Sequence, residues 1–189
     1  MKISRLFVIS GPSGAGKGTL VSLLRAKRPD LALSISATTR HPRSGEIDGK
    51  DYYFLTDDEF DDLIAQHGFV EWAHVHAHRY GTLQREVKRH LEGGHSLILE
   101  IDPQGAFQVK ENVKDAVLIF ITPPSPQILE ERLRKRGTES ERDIQIRLAN
   151  MPGELEASKN YNVIIENDDL EKATQALLDA IASFEEKSE

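Results

Sequence analysis

Residues 6–24, LFVISGPSGAGKGTLVSLL, set an apolar strand, a glycine-rich turn and a helix end to end, and that order constrains the rest of the chain. Leu6 to Ser10 read as a buried strand, bounded by Lys2 and Arg5 on one side and Gly11 on the other. Gly11 to Lys17 fit GxxxxGK. Its glycines let successive backbone N–H groups turn inward on a phosphate, which needs unusual φ/ψ and no side chain in the way. Thr19 to Leu24 then start a helix whose free N–H groups and positive dipole end face the same anion. The stretch Gly11, Pro12, Ser13, Gly14, Ala15, Gly16, Lys17, Gly18 and Thr19 is thus a candidate phosphate loop, with Lys17 charged for β/γ oxygens. The position after the lysine, usually Ser or Thr with its hydroxyl on magnesium, is Gly18. Either Thr19 substitutes as metal ligand or the ion keeps more of its waters.

At 189 residues the chain is expected to form one domain with a small lid or insertion. Its apolar runs fall well short of the ~20 residues of a membrane helix, and MKISRLFVIS reads as no export signal, because its short apolar run leads straight into the loop. The absence of cysteine excludes disulfides and thiolate metal sites and allows a reducing compartment; a cytoplasmic location is the expectation. A net charge of −7 argues against general nucleic-acid binding, since a long polyanion requires a broad basic face. Small phosphates need only local charge, and between Arg132 and Arg147 six basic residues stand against three acids.

Along the chain, Leu31, Leu33 and Ile35 alternate as a half-buried strand ending at Ser36, and Thr38 to Gly45 form an arginine-bearing loop. Glu46 to Leu55 suggest a hairpin about Asp48-Gly49. Thr56 with Glu59 begins a helix that Gly68 ends, Phe69 to His76 read as a strand, and Tyr80-Gly81-Thr82 as a turn into a short helix. His95 to Asp102 form a buried strand with carboxylates at its carboxyl end, where parallel sheets place ligands, and Pro103 opens the next helix. Ala116 to Ile121 form a further strand, Ser125-Pro126 cap a helix running to Gly137, and Ser140 begins another that Pro152-Gly153 should break near Met151. A strand over Tyr161 to Glu166 and a helix from Leu170 close the chain. The alternation predicts an α/β fold: a parallel sheet core with helices on both faces, interrupted by an inserted lobe over 37–94.

The motifs GPSGAGKGT, SATTRHPRSGEIDGKDYYF, FVEW, YGT, LEID and RLRKRGTE, in that order over nearly the whole chain, resemble the guanylate kinase family. The second is far more specific than the phosphate loop, which many nucleotide-binding proteins share. The resemblance implies a P-loop kinase fold as a single guanylate-kinase-like domain: a core over 1–36, 95–125 and 160–189, a GMP-binding lobe over about 37–94 and a helical lid over about 126–159. The implied reaction moves the γ-phosphoryl group of ATP to GMP or dGMP, giving ADP and GDP, with Mg2+. It assigns Arg40, Arg43, Tyr52 and Tyr80 to the monophosphate, supplying guanidinium forks and phenolic donors. It assigns Glu71, Asp102, Ser36 and Thr82 to guanine, whose N1–H and 2-amino donors one carboxylate accepts together; adenine would leave that carboxylate unpaired.

By the same resemblance Lys17, Arg40, Arg132, Arg136 and Arg147 are the catalytic cations and Asn167 lies near the adenine of ATP; Glu100, at the end of the LILE strand, is placed to orient a metal-bound water. Arg132 and Arg136 are four apart and share a helix face, whereas Arg134 and Arg142 read as solvated. Other readings are a silent module that binds phosphopeptides through the monophosphate pocket, a kinase for another phosphorylated acceptor, and a GTP-hydrolysing switch. The first would have lost loop and lid cations that are present here, the second has no use for Glu71 and Asp102, and the third lacks its lysine in Asn167-Asp168-Asp169. His74, His76 and His78 alternate as zinc ligands on one strand would, but the turn expected at Tyr80 favours plain polar residues. The expected partners are GMP and ATP, with no nucleic acid and no membrane and with the oligomeric state open.

Overall fold

The structure, a computed structural model, describes residues 3–75, 77–137 and 140–186. In chain order its elements are β1 (Leu6–Ser10), α1 (Lys17–Lys27), β2 (Ala32–Leu33), β3 (Ala37–Thr38), β4 (Tyr53–Phe54), α2 (Asp57–Ala65), β5 (Phe69–Val75), β6 (His78–Leu83), α3 (Gln84–Glu92), β7 (Leu97–Glu100), α4 (Pro103–Asn112), β8 (Val117–Thr122), α5 (Pro126–Arg136), α6 (Glu141–Ser158), β9 (Val163–Glu166) and α7 (Leu170–Glu186). Five strands form a sheet in the order β2-β7-β1-β8-β9, every neighbouring pair parallel. β1 is its centre and is buried over all five residues. Strand side chains alternate between faces. Phe7 and Ile9 therefore pack with Leu20, Leu24, Leu177 and Ile181 of α1 and α7, and Leu6 and Val8 pack with Val87, Ala106 and Val109 of α3 and α4. Covered on both faces, such a strand has to be apolar throughout, as the run LFVI is.

The chain fills one side of β1 first, through β2 and β7, and then crosses to β8 and β9. That reversal opens a crevice at the carboxyl ends of β1, β7 and β8, the usual ligand position in open α/β sheets. A second sheet, β4-β3-β6-β5, belongs to the inserted lobe and has its own apolar cluster around Ala37, Phe60 and Leu83. The Phe60 and Phe69 rings stack with centroids 4.4 Å apart, and the Arg79 guanidinium covers Phe60 while pairing with Asp57 and Asp61. α5 and α6 form a third unit closed on Leu129, Leu133, Ile144 and Met151. Among the described residues no helix is long and apolar enough to cross a membrane.

Helix starts follow the side chains available. Thr56 and Glu59 make a reciprocal capping box on α2, and Asp102, Ser125 and Ser140 each accept a backbone N–H at the start of α4, α5 and α6.

Four expectations are corrected. The strand foreseen to Ser36 pairs in the core only over Ala32–Leu33; the chain then crosses to the second sheet, where Ala37–Thr38 lie between β4 and β6. The hairpin about Asp48-Gly49 is absent, and β4 runs parallel to β3. The loop is held by side chains instead: Asp48 accepts from the Phe54 N–H and Asp51 from the Ile47 N–H. Tyr80-Gly81-Thr82 form no turn but the middle of β6, paired to both β3 and β5. Gly81 is there for space: a Cβ would lie 2.8 Å from the Phe69 ring and 2.9 Å from the Glu71 carbonyl oxygen. The β5–β6 hairpin also sets His74 opposite Arg79 and His78 opposite Val75, so His74 and His78 do not line one strand; His76 lies outside the described residues.

The fourth correction is the break near Met151, since α6 runs unbroken for 18 residues through Pro152. Its buried residues Ile144, Met151 and Ser158 are seven apart and form one stripe, and Met151 packs with Leu129 and Leu133 of α5. Packing on both sides of the proline offsets the lost bond to the preceding turn. Because Pro152 is exposed, Pro152→Ala should raise stability in urea unfolding by up to ~3 kcal/mol. A helix already interrupted at Met151 would give no change.

Candidate active site

The turn after β1 is tight because its glycines meet other parts of the chain. Gly11 has φ 140°, and a Cβ on it would run into the Ile121 carbonyl of β8; Gly16 has φ 89°, and a Cβ there would strike the Asn167 amide. Lys17 folds back over the loop, its Nζ donating to the carbonyls of Gly11 at 2.6 Å and Pro12 at 3.0 Å. Burial holds the Lys17 pKa below its ordinary value, opposed first by the Glu100 charge and then by Glu154 and Asp102. The buried Asn167 donates to the Ala15 carbonyl at 2.8 Å, and its own carbonyl accepts from Arg132 Nη2 at 2.8 Å. The end of β9 thereby ties the loop to the α5 arginine. Arg132 Nη1 is buried without a hydrogen-bond partner among the described residues.

These groups wall a cleft of about 570 Å³ with Ser13, Lys17, Thr19, Glu100, Arg132 and Arg136 along it. Arg147, on α6, acts electrostatically on Lys17. Arg134 instead pairs outward with Glu130 and Glu141. Gly18 borders Glu100: a Cβ there would lie 3.5 Å from Glu100 Oε1. Burial raises the Glu100 carboxyl, partly offset by Lys17.

A second cavity of about 180 Å³ opens between the two sheets, with Ser36, Tyr52, Thr82 and again Glu100 in its wall. Glu71 is 7% exposed; its Oε1 accepts from the Thr82 hydroxyl at 2.7 Å, and Gly105 leaves room beside Oε2. Burial pushes the Glu71 carboxyl above its ordinary range, the Thr82 hydrogen bond opposes this, and the Asp102 charge adds to it. Asp102 itself is exposed at the N-cap of α4.

On the other side, the Arg40 guanidinium lies 5.3 Å from the Tyr52 ring centre, and the Tyr52 and Tyr80 rings meet edge to face at 6.1 Å. Glu46 binds the Arg40 fork with both oxygens, at 2.9 and 3.0 Å, and also accepts from the Arg43 N–H at 2.7 Å. The Arg40 hydrogen bond holds Glu46 below its ordinary pKa. Arg40, Tyr52 and Tyr80 are thus brought together, Arg43 stays exposed on their loop, and Asn167 is committed to the phosphate loop.

Two acids of this region were not singled out from sequence. Glu46 sits inside a run of charged loop residues, and nothing in its spacing distinguishes it. Glu154 had a signal: it follows Arg147 by seven residues, two turns along one helix face, which the expected break at Met151 concealed. Burial raises the Glu154 carboxyl, and Lys17 and Arg147 lower it.

The family profile described as guanylate kinase matches residues 3–184. This chain belongs to the guanylate kinase family. The guanylate kinase of Caldanaerobacter subterraneus subsp. tengcongensis is 50% identical over 172 residues, 91% of this chain and 84% of that one. That of a Synechocystis strain is 46% identical over 181 residues, 96% of this chain and 95% of its own. The crystal structure of guanylate kinase from Anaplasma phagocytophilum superposes with a TM-score of 0.74 at 30% identity, covering 100% of this chain and 89% of the other. As a guanylate kinase the chain is a nucleoside monophosphate kinase that phosphorylates GMP.

Glu46 holds Arg40 over Tyr52. Glu46→Ala should therefore cost about 1 kcal/mol of side-chain ordering on binding, read as a roughly fivefold rise in KM for GMP with kcat at saturation unchanged. Steady-state kinetics with GMP varied at saturating ATP check this; an unchanged KM would show that the pair does not prepare the site.

Proposed function

We propose that GMP binds in the cavity between the sheets and ATP along the phosphate loop, with the two phosphate chains meeting beside Glu100. The observation that carries this reading is that Glu100 stands in the wall of both cavities, so two anionic ligands bound there would adjoin end to end. Glu71, joined to the wall of that cavity by its bond from Thr82, then accepts from N1–H and the 2-amino group of guanine, with Ser36 in the same wall and Asp102, whose charge acts on Glu71, serving the remaining edge. Arg40, Arg43, Tyr52 and Tyr80 take the monophosphate.

The attacking atom is a phosphate oxygen of GMP, so the protein has little covalent chemistry to do; alignment and charge neutralisation dominate. Lys17 leaves the two loop carbonyls for the β/γ oxygens, and Arg132, whose buried Nη1 has no hydrogen-bond partner among the described residues, turns that donor on the transferring group. Arg136 and Arg147 add charge, and closure of α5 and α6 excludes competing water.

Mg2+ fits the donors present. Among the described residues no group of three or more His, Asp or Glu could hold a metal unaided, but this ion usually takes one or two carboxylates plus substrate phosphates. Glu100 and Thr19 are the protein groups that would hold it, through water where they do not reach, and it would neutralise β/γ oxygens. Gly18 supplies no hydroxyl, and a side chain there would meet Glu100 only at ordinary contact distance.

An ADP-coupled assay with GMP, dGMP, AMP and UMP as acceptors tests the reading: GMP should be preferred, and Lys17→Ala should lose at least a hundredfold in kcat, ~2.7 kcal/mol of transition-state stabilisation, while still binding GMP. Equal turnover of GMP and AMP would overturn it. The raised Glu71 pKa adds a pH signature. Glu71 protonates at higher pH than a free glutamate, so KM for GMP climbs as pH falls through that range. In Glu71→Gln that limb should vanish, leaving only the titration of GMP's own phosphate; an identical profile would reject Glu71 as the base acceptor.

A further inference from the structure

β5 is the edge strand of the inserted sheet, and the backbone groups on its outer side need partners from elsewhere. They find them on the core helix α4. The Gln108 side chain accepts from the Trp72 N–H at 3.2 Å and donates to the Trp72 carbonyl at 3.2 Å, and Asn112 Nδ2 donates to the Val70 carbonyl at 2.8 Å. The residue between those two clamped positions is Glu71. It also lies at an irregularity in the β5–β6 register, between Phe69 and Glu71, where a bulge bends the strand and re-aims its side chains.

The same helix carries the other acid of the base pocket. Asp102 is the N-cap of α4, Gly105 leaves room for Glu71 Oε2, and Gln108 and Asn112 hold the strand. Offsets of three, three and four residues keep these positions on one helix face. Val70 additionally packs into the core cluster with Ala106 and Val109. The two carboxylates come from different lobes of the fold, and α4 is the ruler between them.

We propose that Gln108 and Asn112 are positioning residues for purine selection: by clamping the backbone of Val70 and Trp72 to α4 they fix the depth at which Glu71 meets the base, relative to Asp102. The inference rests on the proposed reading of Glu71. Water could satisfy the same edge groups but would not hold the strand at one offset, whereas a two-bond amide clamp tolerates only one.

The test uses Gln108→Met, which keeps side-chain length without hydrogen bonds, and Asn112→Leu. GMP is compared with inosine monophosphate, which lacks the 2-amino group and so has one fewer donor for Glu71. Misplacing a recognition group by about 1 Å costs up to a hundredfold, so each variant should raise KM for GMP roughly ten- to hundredfold and shrink the preference for GMP over inosine monophosphate. KM for ATP and kcat at saturating GMP should stay within about twofold. A general loss of folding would move KM for ATP as well, and that result would overturn the proposal. A double-mutant cycle with Glu71→Gln separates the two levels of the reading. Strong non-additivity in the base preference supports the clamp. A Glu71→Gln effect with no Gln108 effect, or additive effects, overturns the clamp alone. A Glu71→Gln variant with unchanged preference overturns the reading of Glu71 and the clamp with it.

Discussion

Everything near the site depends on how closely the turn after β1 approaches its neighbours. Gly11 lies against the Ile121 carbonyl where no Cβ fits, Gly16 against the Asn167 amide, and Lys17 closes over the carbonyls of Gly11 and Pro12. A loop held from β8 and β9 in this way has a fixed backbone course, which is the preorganisation that the proposed phosphate site would draw on. The register of β1 with β7 and β8 carries the constraint outward. Ile9 pairs with both Glu100 and Ile119, which brings the Glu100 carboxylate level with the loop.

The core could be read from the sequence because its signals are local. Four successive apolar residues, a glycine turn and a lysine left β1 and α1 almost no alternative, and the caps at Thr56, Asp102, Ser125 and Ser140 depend on residues three apart. Misreadings fell where a residue's role depends on something remote. Gly81 looks like a turn residue until Phe69 and Glu71 are seen pressed against it from β5. Pro152 looks like a helix break until Met151 is seen packed on α5. In both cases tertiary packing overrode a sound local preference.

The site divides along the same line. Motif resemblance reached residues that would touch nucleotide, and the structure gathers Arg40, Tyr52 and Tyr80 on one side and Glu71 with Thr82 on the other. It did not reach the residues that hold those groups still: Glu46 beneath Arg40, Gln108 and Asn112 behind Glu71, and Asn167 in its observed contact with Ala15. A supporting group needs only an amide or a carboxylate at the right distance, and many arrangements in sequence provide one, so it leaves no distinctive pattern.

Charge explains why a chain of net −7 can still be arranged around phosphate. Local charge is enough: Lys17, Arg132 and Arg136 stand in one cleft wall, while Glu100, Asp102 and Glu154 stand close enough to act on Lys17. Burial works against the charged form of Lys17 and of the two raised acids Glu100 and Glu154, and their proximity offsets part of that cost. A bound phosphate chain would take over as partner of the cations, at which point Lys17 no longer depends on the acids. Local pairing of this kind, with Lys17 held by the carbonyls of Gly11 and Pro12 and offset by nearby acids, lets a chain of net negative charge keep buried cations in one crevice.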